Sequence, residues 1–222
     1  MHDADLALGT LARAIPGATR VFHLHNLDFC TEADQTLRAA AQARGLDLAV
    51  IEAELAAIKQ AARTQVNWAR ASTPALVEHL LERYHGHHRV QLPELMRLAR
   101  QVEAVHADHP ACPRGLVSVL EGLGTALAQH MQLEEDCLFP LLADGEAQQA
   151  QAAMNAMQKV HEGHASALVQ LDRLTHGFTA PDDGSPEWRT LCTALRRFKE
   201  DLMEHIYLER NVLFERARRL AS

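Results

Sequence analysis

The stretch His130-Met131-Gln132-Leu133-Glu134-Glu135-Asp136-Cys137-Leu138-Phe139 returns 75 residues later as His205-Ile206-Tyr207-Leu208-Glu209-Arg210-Asn211-Val212-Leu213-Phe214. Five positions coincide, so the pattern H-x-x-L-E-x-x-x-L-F occurs twice. A His and a Glu four apart stand one above the other on a single helix face. Two such faces turned toward each other offer two imidazoles and two carboxylates to a common centre. That centre reads as a pair of metal ions.

Working outward, steps of three and four residues trace core stripes on four long helices, expected over residues 75–107, 113–144, 147–175 and 185–219. The first stripe is Leu81, His85, His88, Leu92, Leu95, Ala99, Val102. The second is Leu116, Leu120, Leu123, Leu127, His130, Glu134, Cys137, Leu141. The third is Met154, Met157, His161, His164, Leu168, Leu171, and the fourth is Trp188, Leu191, Leu195, Phe198, Leu202, His205, Glu209, Val212. Each is apolar but for one short interruption of His or Glu. His85-x-x-His88 is echoed by His161-x-x-His164 after 76 residues, so the segment reads as two copies of one helical hairpin. At 1.5 Å per residue, His85 lies about 33 Å from the end of its helix, and His130–Glu134 about 25–30 Å from the start of theirs. With antiparallel neighbours the interruptions fall in one layer.

Thr73-Pro74 predicts the start of the first long helix, with Thr73 as N-cap. Pro140 predicts a kink or break in the second, and Ser185 an N-cap for the fourth. Residues 1–65 read as a small helical domain with helices over 5–14, 18–25, 32–43 and 48–62. Pro16-Gly17 punctuates it and Thr31 is expected to cap its third helix. Residues 63–73 read as a linker. The expected fold is therefore all-α, an up-down-up-down four-helix bundle over 74–222 behind a small N-terminal helical domain over 1–65.

In a chain of 222 residues, 47% hydrophobic content supports a real core and 23% charged residues a soluble surface. A formal charge of −7 without a basic run argues against nucleic acid. No run reaches membrane-span length, and the first residues lack a signal peptide's apolar core, so no membrane association and a cytoplasmic location are expected. The four cysteines, Cys30, Cys112, Cys137 and Cys192, form no C-x-x-C and suggest neither a disulfide framework nor a zinc ribbon. The oligomeric state is left open.

A lone core histidine is ordinarily a hydrogen-bonded core residue, and a lone Glu a face carboxylate. Buried carboxylates, however, cost several kcal/mol each unless paired or metal-bound, and no Lys or Arg lies on a stripe at this level. Four imidazoles and two carboxylates exceed what one tetrahedral zinc takes, and are not the oxygen cage of calcium or magnesium. Nitrogen and oxygen donors suit iron, manganese or zinc. The economical solution is a dinuclear site with Glu134 and Glu209 bridging and His85, His130, His161 and His205 as terminal ligands. His88 and His164, one turn along, serve as ligands, hydrogen-bonding supports or pocket lining, the last two being favoured.

R-Y-H-x-x-H-R-x-Q-L-P-E-L from Arg83, H-A-D-H-P-A-C-P-R-G-L from His106, H-M-x-x-E-E-x-x-L-F-P from His130 and H-I-x-L-E-x-N-V-L-F from His205 carry a resemblance. Together they resemble the hemerythrin-like di-iron proteins of iron–sulfur cluster repair, the RIC family, over almost the whole chain. The N-terminal unit is similar to that family's small Cys-bearing, ScdA-type domain. The resemblance implies a hemerythrin-like bundle and two iron ions in a non-haem, oxo-bridged centre held by the six residues above. It implies recovery of iron–sulfur proteins damaged by nitric oxide or oxidants, with binding or reduction of nitric oxide at the centre. Oxygen-carrying hemerythrins use a further His four residues after the one on the third helix, where this chain has Ala165. Reversible oxygen carriage is disfavoured.

The family usually has two adjacent cysteines; here Phe29-Cys30-Thr31-Glu32 holds one thiol, which excludes a vicinal dithiol mechanism. Cys30 is either a redox or iron-delivering thiolate, its pKa lowered by a helix N-terminus, or an inert thiol. Cys137 on the core stripe reads as buried filler, and Cys112 and Cys192 as structural. Two rival functions stand beside cluster repair. One is a nitric oxide scavenger or sensor that sequesters the gas without turnover. The weaker is a ferroxidase, whose sites favour Glu-x-x-His and more carboxylates.

Overall fold

The computed structural model describes residues 3–15, 17–61 and 66–221. Pro16, the last residue of the helix expected at 48–62, and residues 63–65 of the expected linker lie outside them. By its contacts the chain divides into two compact units, Met1–Leu76 with Glu204–Arg219, and Val77–Met203 with Leu220–Ser222.

In the first unit a 3-10 turn at Asp3–Asp5 precedes α1 (Leu8–Ala14), α2 (Ala18–Leu24), α3 (Leu37–Ala43) and α4 (Leu48–Ala61). The first helix thus starts later than expected, and so does the third. Thr36, not Thr31, is the N-cap of α3, its side chain accepting the Ala39 N–H at 3.2 Å. Thr31 is instead held by Asp28, which accepts its backbone N–H at 2.8 Å. Asp28 therefore closes a turn and delays the helix. Gly9 allows a close approach: its N–H donates to Ala33 O at 2.8 Å, and a Cβ would stand 3.0 Å from that of Ala33. Leu8, Leu11, Phe22, Leu27, Phe29, Leu37, Ile51 and Leu55 are buried. Phe29 packs on Phe22 and, edge to face at 5.3 Å, on Tyr207. Such rings bury much apolar area in few residues, which suits a small unit. Arg216 donates to Trp68 O and Thr73 Oγ1.

The long helices begin with α5 (Thr73–His79), which passes through a π turn at Leu80–His85 into α6 (Gly86–Val105). The cap is Ser72 rather than Thr73, its Oγ 3.4 Å from Ala75 N. After Gly115 in the left-handed region (φ 89°), α7 (Leu116–Leu133) runs into a π turn at Glu134–Leu138 and α8 (Phe139–Ala143). Then follow α9 (Ala147–Leu174) and α10 (Pro186–Leu208), a π turn at Glu209–Leu213, and α11 (Phe214–Leu220). Ser185 caps α10 as expected, its Oγ accepting Trp188 N–H at 3.2 Å.

Paired side chains within the second unit give the directions. Arg89 meets Glu135, Arg100 meets Glu121, and Glu103 accepts Val117 N–H, so α6 and α7 are antiparallel. Lys199 meets Asp172 and Arg196 meets Phe178 O, so α9 and α10 are antiparallel too. Arg83 meets Asp201 while His106 stacks near Trp188, which sets α6 against α10. The architecture is all-α, up-down-up-down. Leu92, Leu95, Leu116, Leu120, Leu127, Leu168, Leu171, Leu191 and Leu195 are at most 5% exposed, each contributing about 1.5–3 kcal/mol.

The π turns move the stripes. Such a turn holds one residue more than an α turn and advances the core face by one position. Beyond Glu134, in the turn and α8, the buried residues are Leu138, Phe139 and Leu142, and Cys137 is exposed. The expected burial of Cys137 and Leu141 is thus overturned. Before His85 the same shift buries Leu80 and Tyr84 instead of Leu81. Pro140 accounts for part of this, because it lacks an N–H and its ring crowds the carbonyl of residue 136. The wider turn places it in the first turn of α8. Glu215 stands at the matching place in the second repeat and the π turn forms there as well, so proline is not required.

Candidate metal centre

Each π turn carries one of the six singled-out residues. His85 closes the first, Glu134 opens the second and Glu209 opens the third. His161 sits in the regular α9, and His130 and His205 lie one turn before their glutamates. All six are at most 3% exposed.

Glu134 Oε2 is 3.0 Å from His130 Nε2 and 3.5 Å from His85 Nε2. The His130 and His161 ring centroids are 4.9 Å apart. His205 Nε2 is 2.7 Å from Glu209 Oε1. The donor atoms of His85, Glu134, His205 and Glu209 all lie within 4.8 Å of one another, and so do those of His130, Glu134, His161 and Glu209. The two carboxylates are common to both groups.

The tautomers can be read from the outer nitrogens. His85 Nδ1 faces Glu135 Oε1 at 2.7 Å, and His130 Nδ1 faces Met157 Sδ at 3.1 Å. A carboxylate and a thioether only accept, so both Nδ1 atoms carry hydrogen and both Nε2 lone pairs face Glu134. Neither oxygen of Glu134 accepts a hydrogen bond from the described residues, although the residue is fully buried. Lone pairs of nitrogen and oxygen gathered in a dry interior fit a cation and little else.

Sequence reasoning missed what stands behind these side chains. Glu135 is a second acid beside Glu134, and Arg89 grips both its oxygens at 2.8 and 2.9 Å. Partial burial pushes the Glu135 carboxyl up, but hydrogen bonds from Arg89 and His85 outweigh it and hold the group below its ordinary value. The adjacent Glu134-Glu135 pair was the available signal. Met157 lay on a predicted stripe only as an apolar residue. His88 Nδ1 faces Gln91 Oε1 at 3.2 Å, Gln91 donates to Asp201 at 2.9 Å, and Asp201 pairs with Arg83. The His164 ring centroid is 5.1 Å from that of His130. His88 and His164 belong to neither donor group.

The expected helix N-terminus at Cys30 does not exist, since α3 begins only at Leu37. Its backbone N–H donates to Asp28 Oδ1 at 2.9 Å. Burial pushes the thiol well above its ordinary value, Asp28 and Glu204 add to this, and Arg210 only partly opposes them. A lowered thiolate pKa at Cys30 is therefore overturned. Cys112 and Cys192 are buried, and burial pushes Cys192 up to about 11.

Residues 76–217 match the family model described as hemerythrin HHE cation binding domain. Residues 4–59 match the ScdA N-terminal model, a domain of unknown function (DUF542). The chain is 43% identical over 219 residues to the iron-sulfur cluster repair protein YtfE of Dickeya chrysanthemi, covering 99% of both chains. Proteins of the same name from Yersinia pseudotuberculosis serotype O:1b and Yersinia pestis (strain Pestoides F) are 42% and 41% identical over the same length and coverage. The chain belongs to this hemerythrin-like family. Its metal-capable groups lie on the matched segment 76–217, and the fold is the hemerythrin-like bundle with a small N-terminal helical domain. Among the described residues no helix is long and apolar enough to cross a membrane.

Proposed function

We propose that this chain repairs iron–sulfur clusters damaged by nitric oxide or oxidative stress, in the cytoplasm, and that two iron ions are its working group. His85 and His205 hold one ion and His130 and His161 the other, with Glu134 and Glu209 shared. Residues 74–222 are the di-iron bundle and residues 1–65 the Cys-bearing domain. The observation that carries this reading is the sharing: both donor groups contain the same two buried carboxylates. Two irons so held supply one-electron changes of charge and room for a small diatomic such as nitric oxide or oxygen.

The protein's own part is to bind, orient and exclude. Glu135 and Met157 fix the tautomers of His85 and His130, so that Nε2 is the ligating atom in each. Leu92, Leu127, Leu138 and Phe198 are buried on the same helices, and such an apolar interior admits a neutral gas more readily than an ion. The damaged iron–sulfur protein is the macromolecular partner.

Iron analysis of the purified chain should return two irons, with ligand-to-iron charge-transfer absorption. Replacing His130 or Glu209 with Ala should abolish that absorption, and an unaltered spectrum would refute the assignment. A second reading, sequestration of nitric oxide without turnover, is favoured by one observation: Cys30 is buried with its pKa raised, which weakens transfer chemistry at that thiol. Nitrous oxide formed over several turnovers from reduced protein and excess nitric oxide eliminates it; a single stoichiometric uptake supports it.

A further inference from the structure

The two donor groups differ in what stands behind one imidazole of each, His85 and His130. His85 leans on an acid that Arg89 holds through both oxygens. His130 leans on the buried thioether of Met157. Both arrangements select the same tautomer, so the difference is one of strength. A hydrogen bond to an ionised carboxylate is about twice as strong as a neutral one. It moves electron density toward Nε2 and makes the ring a better ligand. A thioether is a weak acceptor and supplies little of this. The shared glutamates cannot even out the contrast, because each belongs to both groups.

We infer that the two metal positions are unequal: the one held by His85 and His205 is tight, and the one held by His130 and His161 is the exchangeable one, with Glu135 and Met157 setting the difference. This rests on the two-iron reading above. Glu135 and Met157 act through the histidines and are positioning residues. Iron delivered to or taken from this protein passes through the His130–His161 position, while the other ion stays.

The test is release of iron from the full-length chain, loaded anaerobically with two ferrous ions and mixed with excess ferrous chelator. The wild type should lose its irons in two phases of equal amplitude, with rates about 10-fold or more apart. Glu135→Gln, at a partly exposed position, should speed the slow phase about 10–100-fold and leave the fast phase in place. Met157→Gln, which offers an amide oxygen in place of sulfur, should slow the fast phase alone. One common phase in the wild type overturns the inference, and so does Glu135→Gln acting on the fast phase. Both outcomes leave the two-iron reading standing. A chain that holds fewer than two irons before chelator is added overturns the reading itself.

Discussion

The helices of residues 77–203 and the N-terminal helices of residues 3–61 solve the same problem with different materials. The first set has leucine stripes interrupted at one level by His85, His130, Glu134 and His161. The second has aromatic and aliphatic side chains around Phe22 and Phe29, and its buried polar residues among those described are Thr19 and His23. An aromatic cluster is stable by itself. A layer of lone pairs is not, and it makes the long helices depend on what fills it. Regions of one chain can therefore differ in whether their stability is internal or borrowed from a ligand.

Removing the metal is the harshest way to break that comparison. On the proposed two-iron reading, two ions each present at 1,000-fold over their Kd stabilise the folded state by about 8 kcal/mol, so the apo chain should melt well below the iron-loaded one. A melting temperature indifferent to iron would erase the contrast. Phe22→Ala should cost about 3–5 kcal/mol in both forms, because it opens a cavity among side chains that offer no metal ligand. The iron content of that variant should be unchanged.

The cysteines sharpen the comparison within the long helices. Cys137, turned outward by the π turn, should react first with a thiol reagent near neutral pH. Cys192 has its folded value raised from 9.0 to about 11 by burial, so the unfolded chain loses this proton first as pH rises. The stability tied to the thiol is present below pH 9.0 and lost by about pH 11. Urea midpoints across that window should fall for the wild type and fall less for Cys192→Ala.

The smallest effect separates the expected cap from the observed one. Thr36→Ala should cost about 1 kcal/mol by removing the acceptor for Ala39 N–H. Thr31→Ala should cost less, since Thr31 caps no helix. Equal losses in urea denaturation would mark Thr31 as a cap of α3 alongside Thr36.

Much of this was legible because the signal was long and repeated. Helices of eighteen residues and more repeat their period often enough to be read, and His or Glu in place of Leu stands out on such a stripe. Short helices offer one or two periods, so Thr31 and Thr36 could not be told apart by spacing. The π turns were invisible because they keep the residue types of a helix while adding one position, which is why Cys137 and Leu81 were misplaced.

By itself, the amino-acid sequence determined the all-α class and singled out six His and Glu side chains that the structure buries, since periodicity along one chain carries both. Only the tertiary structure decided which atoms face which. Glu135 behind His85, Met157 behind His130 and the burial of Cys30 are meetings between segments far apart in the chain. Their energies depend on distance and solvent exclusion, which a linear pattern does not carry.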